Sequence, residues 1–542
     1  MNVMTTTIER ATIQRWGTGI VQGTVNGHPC RMYEIRPRSL FELLIDAQRW
    51  ADRTLLVQGN RRLNGAQHLC AVARAANLLR ERGARRGDRI MLLGFNHIEW
   101  LVAFWAIQCI GATAVFGNRW WSDEETLAAL TSIEPTIVLT DKSPSEIGQP
   151  VHISFEAVRQ AIDNTTDVPL DPEPVDEDAP AVIIFTSGTT GVAKGIVMSY
   201  RSVIANIQNL LVLTGRLPSA LPASHAGTVS LMTMPLFHLA GLQIQIMNLL
   251  SGGTLVFLEG RFDALEALRL IECEQVRAWG SVPTMVSRVI HHDDFAKYDT
   301  ASIASIPMGG AAIPHELRAE IARAFPKTQR RVGNMYGLTE AGGVLAAGSG
   351  KDLDDRPQCV GKPLPTVEVR ISEPNLDGVG EIMARTPSAT SGFVGDPTPI
   401  GNADGWIATG DLGRLDGDGY LYVVGRQKDT IIRGGENIAS VHVERCIRMH
   451  PDVLEAAVVP LPHADLGEEV GAAVVLRDGA TVSATEMTRH AALHLARFEV
   501  PTRWWLTYEA LPTNASGKVV KRDVVQRWPH DAGSPDSPTE KS

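Results

Sequence analysis

Short apolar runs alternate with amphipathic segments along most of the chain, and this alternation constrains the fold more than any other feature. Continuous apolar runs of roughly four to eight residues are typical of buried strands, whereas apolar residues spaced three and four apart are typical of helices. The clearest succession, over residues 89–141, is RIMLLGF, IEWLVAFWAIQCIG, ATAVFG, DEETLAALTSI and TIVLTD. It predicts strand–helix–strand units and a mostly parallel sheet.

The alternation is interrupted once and later changes in character. Residues 164–180 are acidic and proline-rich, which is typical of a linker. After residue 350 short strands with turn signals take over, and DGDG at 416–419 predicts a hairpin. A smaller α/β pattern follows from residue 426, and the polar stretch 529–542 is typical of a disordered tail. Because 542 residues exceed what one core normally holds, we expect two or more domains.

Two local patterns have simple structural interpretations. Residues 1–38 look irregular, and NGHP within them indicates a turn. His291 and His292 stand beside Asp293 and Asp294, a set that suggests a metal site at first sight. Adjacent residues of one element do not share a face, so we predict a solvated turn there instead.

Charge and cysteine content argue against several classes of protein. A formal net charge of −10 disfavours a general nucleic-acid binder. Six cysteines without any C-x-x-C pair argue against a disulfide scaffold or a cysteine zinc site and fit a reducing cytosol. The first ten residues lack the apolar core of a secretory signal, and the most apolar run, 101–117, is too short to span a membrane. We expect a cytoplasmic protein without a nucleic-acid partner or a transmembrane segment.

The stretch TSGTTGVAKG, residues 186–195, combines glycines, hydroxyls and one lysine directly after the apolar run 181–185. Small residues let backbone N–H groups surround an anion, hydroxyls add donors, and Lys194 adds a positive charge. The spacing is not that of a Walker A loop, which requires G-x-x-x-x-G-K-[ST]. The stretch therefore predicts a phosphate-binding loop, with a flexible surface turn as the alternative.

Four further stretches carry residue types suited to nucleotide chemistry. Their sequences are NMYGLTEAGG (334–343), WIATGDLGRL (406–415), GRQKDTIIRGGENIAS (425–440) and LPTNASGKVVKRD (511–523). They supply an aromatic ring for stacking, a carboxylate for magnesium, a carboxylate for ribose hydroxyls and a lysine on a loop. Taken singly, each could equally be a turn or a charged surface loop.

Together, the five stretches resemble the adenylate-forming, or AMP-binding, enzymes, which include acyl-CoA synthetases, luciferases and peptide-synthetase adenylation domains. TSGTTGVAKG, YGLTE, TGD, GRQKDTIIRGGENI and a C-terminal GK occur in the family's order, and the resemblance covers roughly residues 40 to 525. One departure is Ala193, where the family usually has proline. Because proline only pre-sets φ, we expect a slightly looser loop and retained activity.

The resemblance implies an α/β fold with a large N-terminal domain of stacked, mostly parallel sheets plus a small β-barrel-like subdomain. A smaller, mobile α/β C-terminal domain follows. With the pattern along the chain, this predicts an N-terminal AMP-binding domain at 1–425, a C-terminal domain at 426–528 and a disordered tail at 529–542.

The resemblance also implies which residues hold ATP and Mg²⁺. Thr339 and Glu340 match the α-phosphate contact and the Mg²⁺ ligand, and Lys518 matches the catalytic lysine of the first half-reaction. The residues implied to contact ATP are Thr186, Ser187, Gly188, Thr189, Thr190, Lys194, Gly310, Ala311, Ala312, Tyr336, Asp411 and Arg426.

The resemblance also implies a hinge, a coenzyme A site and an acid pocket. Lys428 matches the hinge, and Gly434, Gly435 and Glu436 match the loop that lines the path of the coenzyme A thiol. The acid-pocket positions are His238, Leu239, Trp279, Gly309, Met335 and Gly337. Those positions carry no lysine, arginine or aspartate, and residues 234–243 lack the aspartate that holds an amino group in peptide synthetases. A hydrophobic acid is therefore implied, whether fatty, alicyclic or aryl.

The leading hypothesis is an ATP-dependent acyl-CoA ligase that forms acyl-AMP and pyrophosphate and then transfers the acyl group to coenzyme A. One alternative is an acyl-AMP ligase that loads a carrier-protein thiol, although the short stretch from Glu340 to Gly361 favours coenzyme A. Another is a catalytically silent nucleotide-binding protein on the same fold. The partner is a small-molecule carboxylic acid, and the sequence leaves open whether the chain is a monomer or a homodimer.

Overall fold

The computed structural model describes residues 14–142, 150–186, 194–310, 313, 315–328, 331–356, 358–396, 398–434, 436–514 and 517–529. Its strands are β1 (Ile20–Val25), β2 (His28–Tyr33), β3 (Thr54–Gln58), β4 (Arg61–Asn64), β5 (Arg89–Leu93), β6 (Thr113–Phe116), β7 (Ile137–Thr140), β8 (Val151–Ile153), β9 (Pro180–Thr186), β10 (Lys194–Ser199), β11 (Val229–Met232), β12 (Thr254–Phe257), β13 (Ala278–Gly280), β14 (Ile306–Gly309), β15 (Val332–Leu338), β16 (Gly343–Ser349), β17 (Lys362–Pro363), β18 (Glu368–Ser372), β19 (Gly380–Arg385), β20 (Gly392–Phe393), β21 (Ile407–Leu415), β22 (Leu421–Arg426), β23 (Thr430–Arg433), β24 (Glu436–Ala439), β25 (Val453–His463), β26 (Gly467–Leu476) and β27 (Arg503–Thr507).

The helices are α1 (Leu40–Asp46), α2 (Gly65–Glu81), α3 (Ile98–Cys109), α4 (Asp123–Ile133), α5 (Phe155–Asp163), α6 (Tyr200–Leu213), α7 (Leu239–Leu250), α8 (Ala264–Cys273), α9 (Pro283–Ile290), α10 (His315–Ala324), α11 (Lys351–Asp355), α12 (Ser440–Arg448), α13 (Ala484–Ala492) and α14 (Lys521–Gln526). Among the described residues, no helix combines the length and apolarity that crossing a membrane requires.

The first large sheet contains seven strands in the order β20-β10-β9-β6-β5-β7-β8. The five strands from β5 to β9 pair in parallel, and β10 and β20 continue the sheet in antiparallel fashion. Every residue of α3 is buried, and β6 follows it after a short turn. The most apolar run of the sequence is therefore a core helix leading into a core strand, as predicted.

The second large sheet has the order β13-β11-β12-β3-β4, and only β4 is antiparallel. Side chains from α1, α2, α3, α6 and α7 join strands of both large sheets in one buried cluster. A second cluster joins this sheet to α8, α9 and α10. The mostly parallel sheets expected from the alternating pattern and the stacked arrangement that the resemblance implies are both confirmed.

Two smaller four-stranded sheets follow, in the orders β14-β15-β16-β17 and β18-β19-β21-β22. The DGDG turn joins β21 to β22 as predicted. Its Asp416 carboxylate accepts from the backbone N–H of Asp418 and of Tyr420, and Gly419 has φ +80°. Positive φ is the conformation that glycine tolerates best, which explains the residue at that corner.

The last sheet, β24-β23-β26-β25 with β27 beside β26, has a core of its own. Sixteen buried residues from this sheet and from α12, α13 and the segment that follows α13 form one cluster. A separate C-terminal domain is thus present. Its predicted start at residue 426 remains a proposal, and of the predicted tail 529–542, residues 530–542 lie outside the described residues.

The prediction of an irregular segment over residues 1–38 is wrong between residues 20 and 33. There β1 and β2 form a hairpin whose two-residue turn is Asn26-Gly27, with φ +50° and +82°. Two successive positive φ values match the twist of a hairpin, and Asn-Gly is the preferred pair. At the base of the hairpin, the Tyr33 hydroxyl donates to Asn209 Oδ1 on α6 at 3.0 Å. Further along, the Arg36 guanidinium pairs with Glu177 in the acidic linker, at 2.9 Å.

Candidate active site

A turn of the C-terminal domain carries Lys518 to the large sheets. The Lys518 backbone N–H donates to Asn514 Oδ1 at 3.0 Å, and the Asn514 N–H donates to the Lys518 carbonyl at 2.8 Å. Gly517, just before the lysine, has φ +78° and accepts at its carbonyl from Thr284 Oγ1 on α9, at 3.1 Å. This last hydrogen bond ties the lysine turn to a helix of the N-terminal sheets.

The Lys518 side chain is enclosed by charged groups from several elements. A Cβ atom at Gly310, where φ is +81°, would lie 2.9 Å from Lys518 Cε, so the lysine stem occupies the space that a side chain would need. Burial lowers the pKa of the Lys518 ammonium, the neighbouring Arg426 lowers it further, and Asp411 and Glu340 oppose the shift. A half-buried lysine facing carboxylates and a second cation is arranged to hold an anionic ligand.

Asp411 is the buried carboxylate of this cluster, with 4% of its surface exposed. It lies opposite Arg426 in the pairing of β21 with β22, and Arg426 Nε contacts its Oδ1 at 2.9 Å. The Tyr336 hydroxyl donates to its Oδ2 at 2.8 Å. Burial raises the pKa of the Tyr336 phenol and Asp411 raises it further, so the phenol stays protonated and donating. Both carboxylate oxygens are therefore oriented from neighbouring strands.

Thr339 and Glu340 follow β15 at a tight turn. The Gly342 N–H donates to the Thr339 carbonyl at 2.9 Å. A Cβ at Gly342 would lie 1.7 Å from the Ser388 carbonyl oxygen, so this turn requires glycine. The Glu340 carbonyl accepts from Thr390 Oγ1 at 2.8 Å. Within the described part of the chain, the Glu340 carboxylate has no hydrogen-bond or ion-pair partner, which leaves its oxygens available to a ligand.

The predicted phosphate loop is described only at its ends. Thr186 and Lys194 lie opposite each other where β9 and β10 pair, and the Lys194 ammonium lies 5.5 Å from the centre of the Phe393 ring. Seven residues predicted to bind ATP or coenzyme A lie outside the described residues, namely Ser187, Gly188, Thr189, Thr190, Ala311, Ala312 and Gly435.

His238 immediately precedes α7 and faces the same cluster. Its Nε2 is buried and has no hydrogen-bond partner among the described residues, and its ring centre lies 4.6 Å from that of Phe237. Burial, and then the charge of Lys518, lowers the pKa of the imidazole to about 4. The ring is consequently neutral at physiological pH. Leu239 is the first, half-buried residue of α7.

The other predicted acid-pocket residues lie on β13, β14 and β15. Trp279 is fully buried on β13 and its indole N–H donates to Thr233 Oγ1 at 2.9 Å. Gly309 and Met335 pair across β14 and β15, and a Cβ at Gly309 would lie 3.1 Å from the Met335 carbonyl oxygen. A Cβ at Gly337 would lie only 2.1 Å from a carbonyl oxygen of β16. Glycine at these places permits close strand packing beside the pocket.

The predicted hinge and coenzyme A residues lie elsewhere. Lys428 is exposed in a single helical turn between β22 and β23. The Gly434 N–H donates to the Leu466 carbonyl at 2.8 Å, and Glu436 is exposed at the start of β24. These contacts remain within the C-terminal domain and none joins the residues to the Lys518 cluster.

The structure thus brings several predicted site residues together around Lys518, whereas the predicted hinge and coenzyme A residues lie outside this cluster. The group around the lysine comprises Lys518, Gly310, Glu340, Asp411, Arg426, Tyr336 and His238. Sequence reasoning missed Thr284, which anchors the lysine turn, because no motif marks a threonine that meets a glycine 233 positions away.

Comparisons with known proteins agree with this arrangement. The family model for the AMP-binding enzyme matches residues 44–394, and the model for the AMP-binding enzyme C-terminal domain matches residues 442–518. A feruloyl-CoA synthase from an Amycolatopsis species is 31% identical over 490 residues, which cover 88% of this chain and 96% of that protein. The indoleacetate–CoA ligase of Aromatoleum aromaticum is 29% identical, with 89% of this chain and 98% of the ligase covered.

Solved structures show the same fold. The o-succinylbenzoate–CoA synthetase of Bacillus subtilis in complex with its acyl-adenylate intermediate aligns with a TM-score of 0.77 at 28% identity, over 91% of this chain and 98% of that one. ATP-bound MatB from Rhodopseudomonas palustris aligns with a TM-score of 0.78 at 26% identity, over 89% and 99%. The chain therefore belongs to the AMP-binding enzyme family, the adenylate-forming enzymes.

The residues around Lys518 fit the ligands of that family. Two cations, Lys518 and Arg426, suit a polyphosphate, and the oriented Asp411 carboxylate suits paired hydroxyls. The unpaired carboxylate of Glu340 suits Mg²⁺, which prefers oxygen ligands.

Proposed function

We propose that this chain is an AMP-forming acid–thiol ligase that activates a hydrophobic carboxylic acid with ATP and transfers the acyl group to coenzyme A. The observation that carries the proposal is the position of Lys518. A half-buried lysine of the C-terminal domain lies beside Gly310, Glu340, Asp411 and Arg426 of the preceding strands and turns. A separate domain that delivers one cation to a nucleotide-type site is suited to a reaction with two half-steps.

In the first half-reaction the acid's carboxylate oxygen attacks the α-phosphorus of ATP, the bond to the β-phosphate oxygen breaks, and pyrophosphate leaves. Because the acid is already ionised near neutral pH, no general base is needed. Lys518 bridges the two anions, and Thr339 donates to the α-phosphate. Asp411 accepts from the ribose hydroxyls with Arg426 beside it, and the Tyr336 ring stacks on the adenine, whose other side Gly310 and its neighbours line.

Two further groups act on the phosphates in this proposal. Thr186, Lys194 and the loop between them hold the β- and γ-phosphates. Glu340 holds Mg²⁺, which neutralises charge on the phosphate oxygens.

In the second half-reaction the thiolate of coenzyme A attacks the acyl carbon, the bond between that carbon and the phosphate oxygen breaks, and AMP leaves. Gly434 and Glu436 share no hydrogen bond with the described residues of the Lys518 cluster, so we infer that one orientation of the C-terminal domain does not present both sites. Rotation about Lys428 would withdraw the lysine and bring in the loop for the thiol.

The acid is proposed to be hydrophobic, whether aryl, alicyclic or fatty. The positions proposed to line the acid pocket are Leu239, Trp279, Met335, Gly309 and Gly337, none of them charged, together with the neutral His238 ring. Two of the relatives are named for an aryl acid, ferulate and indoleacetate, which supports an aryl substrate. The six cysteines are free thiols, which supports the proposed cytoplasmic location.

The test is pyrophosphate release from ATP and Mg²⁺ across short and long fatty acids, alicyclic acids and aryl acids, with and without coenzyme A. Release with one class, plus a thioester when coenzyme A is present, is expected, and Lys518→Ala should remove the release. Release without a thioester would indicate a carrier-protein thiol as acceptor. No release with any acid, despite ATP binding by calorimetry, would indicate a silent nucleotide-binding protein.

A further inference from the structure

Helix α7 carries an incompletely buried stripe inside the molecule. The half-buried residues are Leu239, Ala240, Gln243, Ile244 and Met247, whereas the other residues of the helix are buried. Their spacing of one, three and four positions puts them on one face. Ala240 and Ile244 pack against the cluster of the second sheet, and Met247 packs against the cluster that contains Val344 of β16. Leu239, Ile244 and Met247 also pack against the cluster shared by the two large sheets, so the accessible part of the stripe faces a space among three buried clusters.

That space starts at the proposed reaction centre. The stripe begins next to His238, and the charge of Lys518 contributes to the lowered pKa of the His238 imidazole. Gln243 lies five residues further along the helix, about 7.5 Å at the usual rise per residue. An acid whose carboxylate lies beside Lys518 would therefore extend its far end along the stripe.

Gln243 is the one polar member of the stripe, and its amide is held in a defined orientation. Its Nε2 donates to Asn206 Oδ1 at 2.7 Å. The Asn206 amide, 1% exposed, is itself oriented by Val344, because its Nδ2 donates to the Val344 carbonyl at 2.9 Å while its Oδ1 accepts from the Val344 N–H at 3.4 Å. Since Asn206 presents oxygen to Gln243, the glutamine must present nitrogen to Asn206.

The other end of the Gln243 amide is consequently a directed acceptor. Gln243 Oε1 accepts no hydrogen bond from any residue that the structure describes, and it does not belong to the buried polar atoms without a partner. It is therefore open to the space in front of the stripe. An amide oxygen accepts but cannot donate.

The two amides lie close against the backbone of β16 at Gly343. Gly343 has φ +136°, and a Cβ there would lie 2.5 Å from Asn206 Oδ1 and 2.6 Å from Gln243 Nε2. Gly343 must therefore be glycine, since any side chain would clash with the amides of Asn206 and Gln243. The Gln243 oxygen is positioned by contacts that involve α6, α7 and β16.

We propose that Gln243 Oε1 accepts a hydrogen bond from a hydroxyl or N–H group on the part of the acid far from its carboxylate. The proposal rests on the proposed function and narrows its substrate class to aryl acids that carry a hydrogen-bond donor. An acid with a methyl group in place of the donor leaves the Gln243 oxygen buried and unpaired. Such a site discriminates strongly, by roughly tenfold or more.

The experiment compares wild type with Gln243→Met, which keeps the length of the side chain and removes the acceptor. The probes are arylacetic and arylpropanoic acids with a hydroxyl at the ortho, meta or para position, each paired with its methyl analogue. Both kcat/KM for pyrophosphate release and Kd of the matching non-hydrolysable acyl-sulfamoyl adenosines are measured. Wild type should favour the hydroxyl member of at least one pair by roughly tenfold or more, and Gln243→Met should bring that ratio within about threefold of unity.

The matched control is Gln245→Met on the same helix. Gln245 points to the opposite, buried face, and both of its amide atoms lack partners among the described residues. Its replacement by an apolar side chain should leave the hydroxyl-to-methyl ratio and the thermal midpoint close to wild type, because a buried amide without partners gains nothing from its polarity.

A wild-type ratio within about twofold of unity for every pair, or a ratio that persists in Gln243→Met, overturns the proposal. If the amide pair had only a structural role, Gln243→Met would have a lower thermal midpoint, and kcat/KM would change by the same factor for every acid. That result would also overturn the proposal. If neither the sulfamoyl adenosines nor ATP binds to wild type, the proposed function itself fails. These outcomes are distinguishable because ATP binding is measured separately from acid selectivity.

Discussion

Lys518 is half-buried, and the proposed chemistry requires its positive charge. Burial and Arg426 lower the pKa of its ammonium, so the group loses its proton at a lower pH than an exposed lysine, whose pKa is about 10.4. Because only the protonated form stabilises the phosphate charge, kcat/KM for acyl-AMP formation should fall as pH rises through this lowered pKa. The kcat/KM profile reports the free enzyme, which is the state that the structure shows.

Lys518→Arg supplies the control for this profile. A guanidinium stays protonated throughout the accessible range, so the variant should be slower but should lack the decline at high pH. The same high-pH decline in both proteins would show that another group causes it.

His238 should remain uncharged where an ordinary histidine titrates. Its pKa of about 4 follows from burial and then from Lys518, so protonation is absent above about pH 5.5, whereas an exposed imidazole titrates near 6.5. The measurement is ¹⁵N NMR of ring-labelled histidine, with the His238 signal assigned from its loss in His238→Gln. A midpoint near 6.5 would contradict the environment described here, and Lys518→Ala should raise the midpoint because it removes a repelling charge.

At the scale of elements, the pairing of β15 with β16 depends on Gly337. A Cβ there would lie 2.1 Å from the Gly343 carbonyl oxygen and 2.7 Å from Val344 Cα, both of them backbone atoms. Gly337→Ala should force the strands apart and cost about 3 kcal/mol or more of stability, seen as a lower denaturant midpoint. Gly417→Ala is the matched control, since a Cβ at that exposed turn meets nothing within 4 Å. Equal midpoints for the two variants would contradict the close packing.

Helices, strands and turns could be predicted from the sequence where a short local pattern is enough to specify them. α3 and β6 are buried on all sides, so a continuous apolar run identified them, and DGDG identified the turn between β21 and β22. The hairpin of β1 and β2 carries an equally local signal, the pair Asn26-Gly27, but only a turn is predicted there and not the strands on either side. That miss reflects unrecognised turn chemistry rather than a tertiary effect.

In the candidate site, too, some residues could be predicted from local motifs and others could not. Lys518, Glu340, Asp411 and Arg426 lie in recognisable motifs, and the structure gathers them. The contact between Gln243 and Asn206 joins residues 37 positions apart on two different helices. Only the packing of α6 against α7 brings them together, so no local pattern could have predicted the oriented acceptor.

At the scale of the molecule, the residues that the structure describes form few polar contacts between the C-terminal domain and the N-terminal sheets. Besides Thr284 with Gly517, the main contact is Arg477, directly after β26. Its Nη1 lies 3.3 Å from His291 Nε2, and its Nη2 lies 3.8 Å from a Glu320 carboxylate oxygen. His291 Nδ1 lies 2.8 Å from the Ser287 carbonyl and so carries the proton, which leaves Nε2 to accept from Arg477. The turn predicted at His291 is thus exposed and also forms part of the domain contact.

A domain held by so few contacts should respond to reversal of one charge. Arg477→Glu places a carboxylate against Glu320 and should disfavour the orientation in which Lys518 reaches its site. Surface ion pairs contribute about 0.2–1 kcal/mol, and the repulsion adds a similar amount. The rate of acyl-AMP formation should therefore fall about two- to thirtyfold at low salt, and less at high salt. Thioester formation from supplied acyl-AMP and coenzyme A should be unchanged or faster, because that step uses the other orientation.

Arg503→Glu is the matched control for this charge reversal. Arg503 has a similar exposure and faces Glu469 at 3.7 Å, but both residues belong to the C-terminal domain. Reversal at Arg503 changes the net charge equally without touching the domain contact, so both half-reactions should keep their rates. If Arg477→Glu slows both half-reactions alike, or Arg503→Glu reproduces its effect, the contact does not set the domain orientation. A selective loss of adenylation in Arg477→Glu would show that a salt-sensitive surface contact determines how often Lys518 occupies the site.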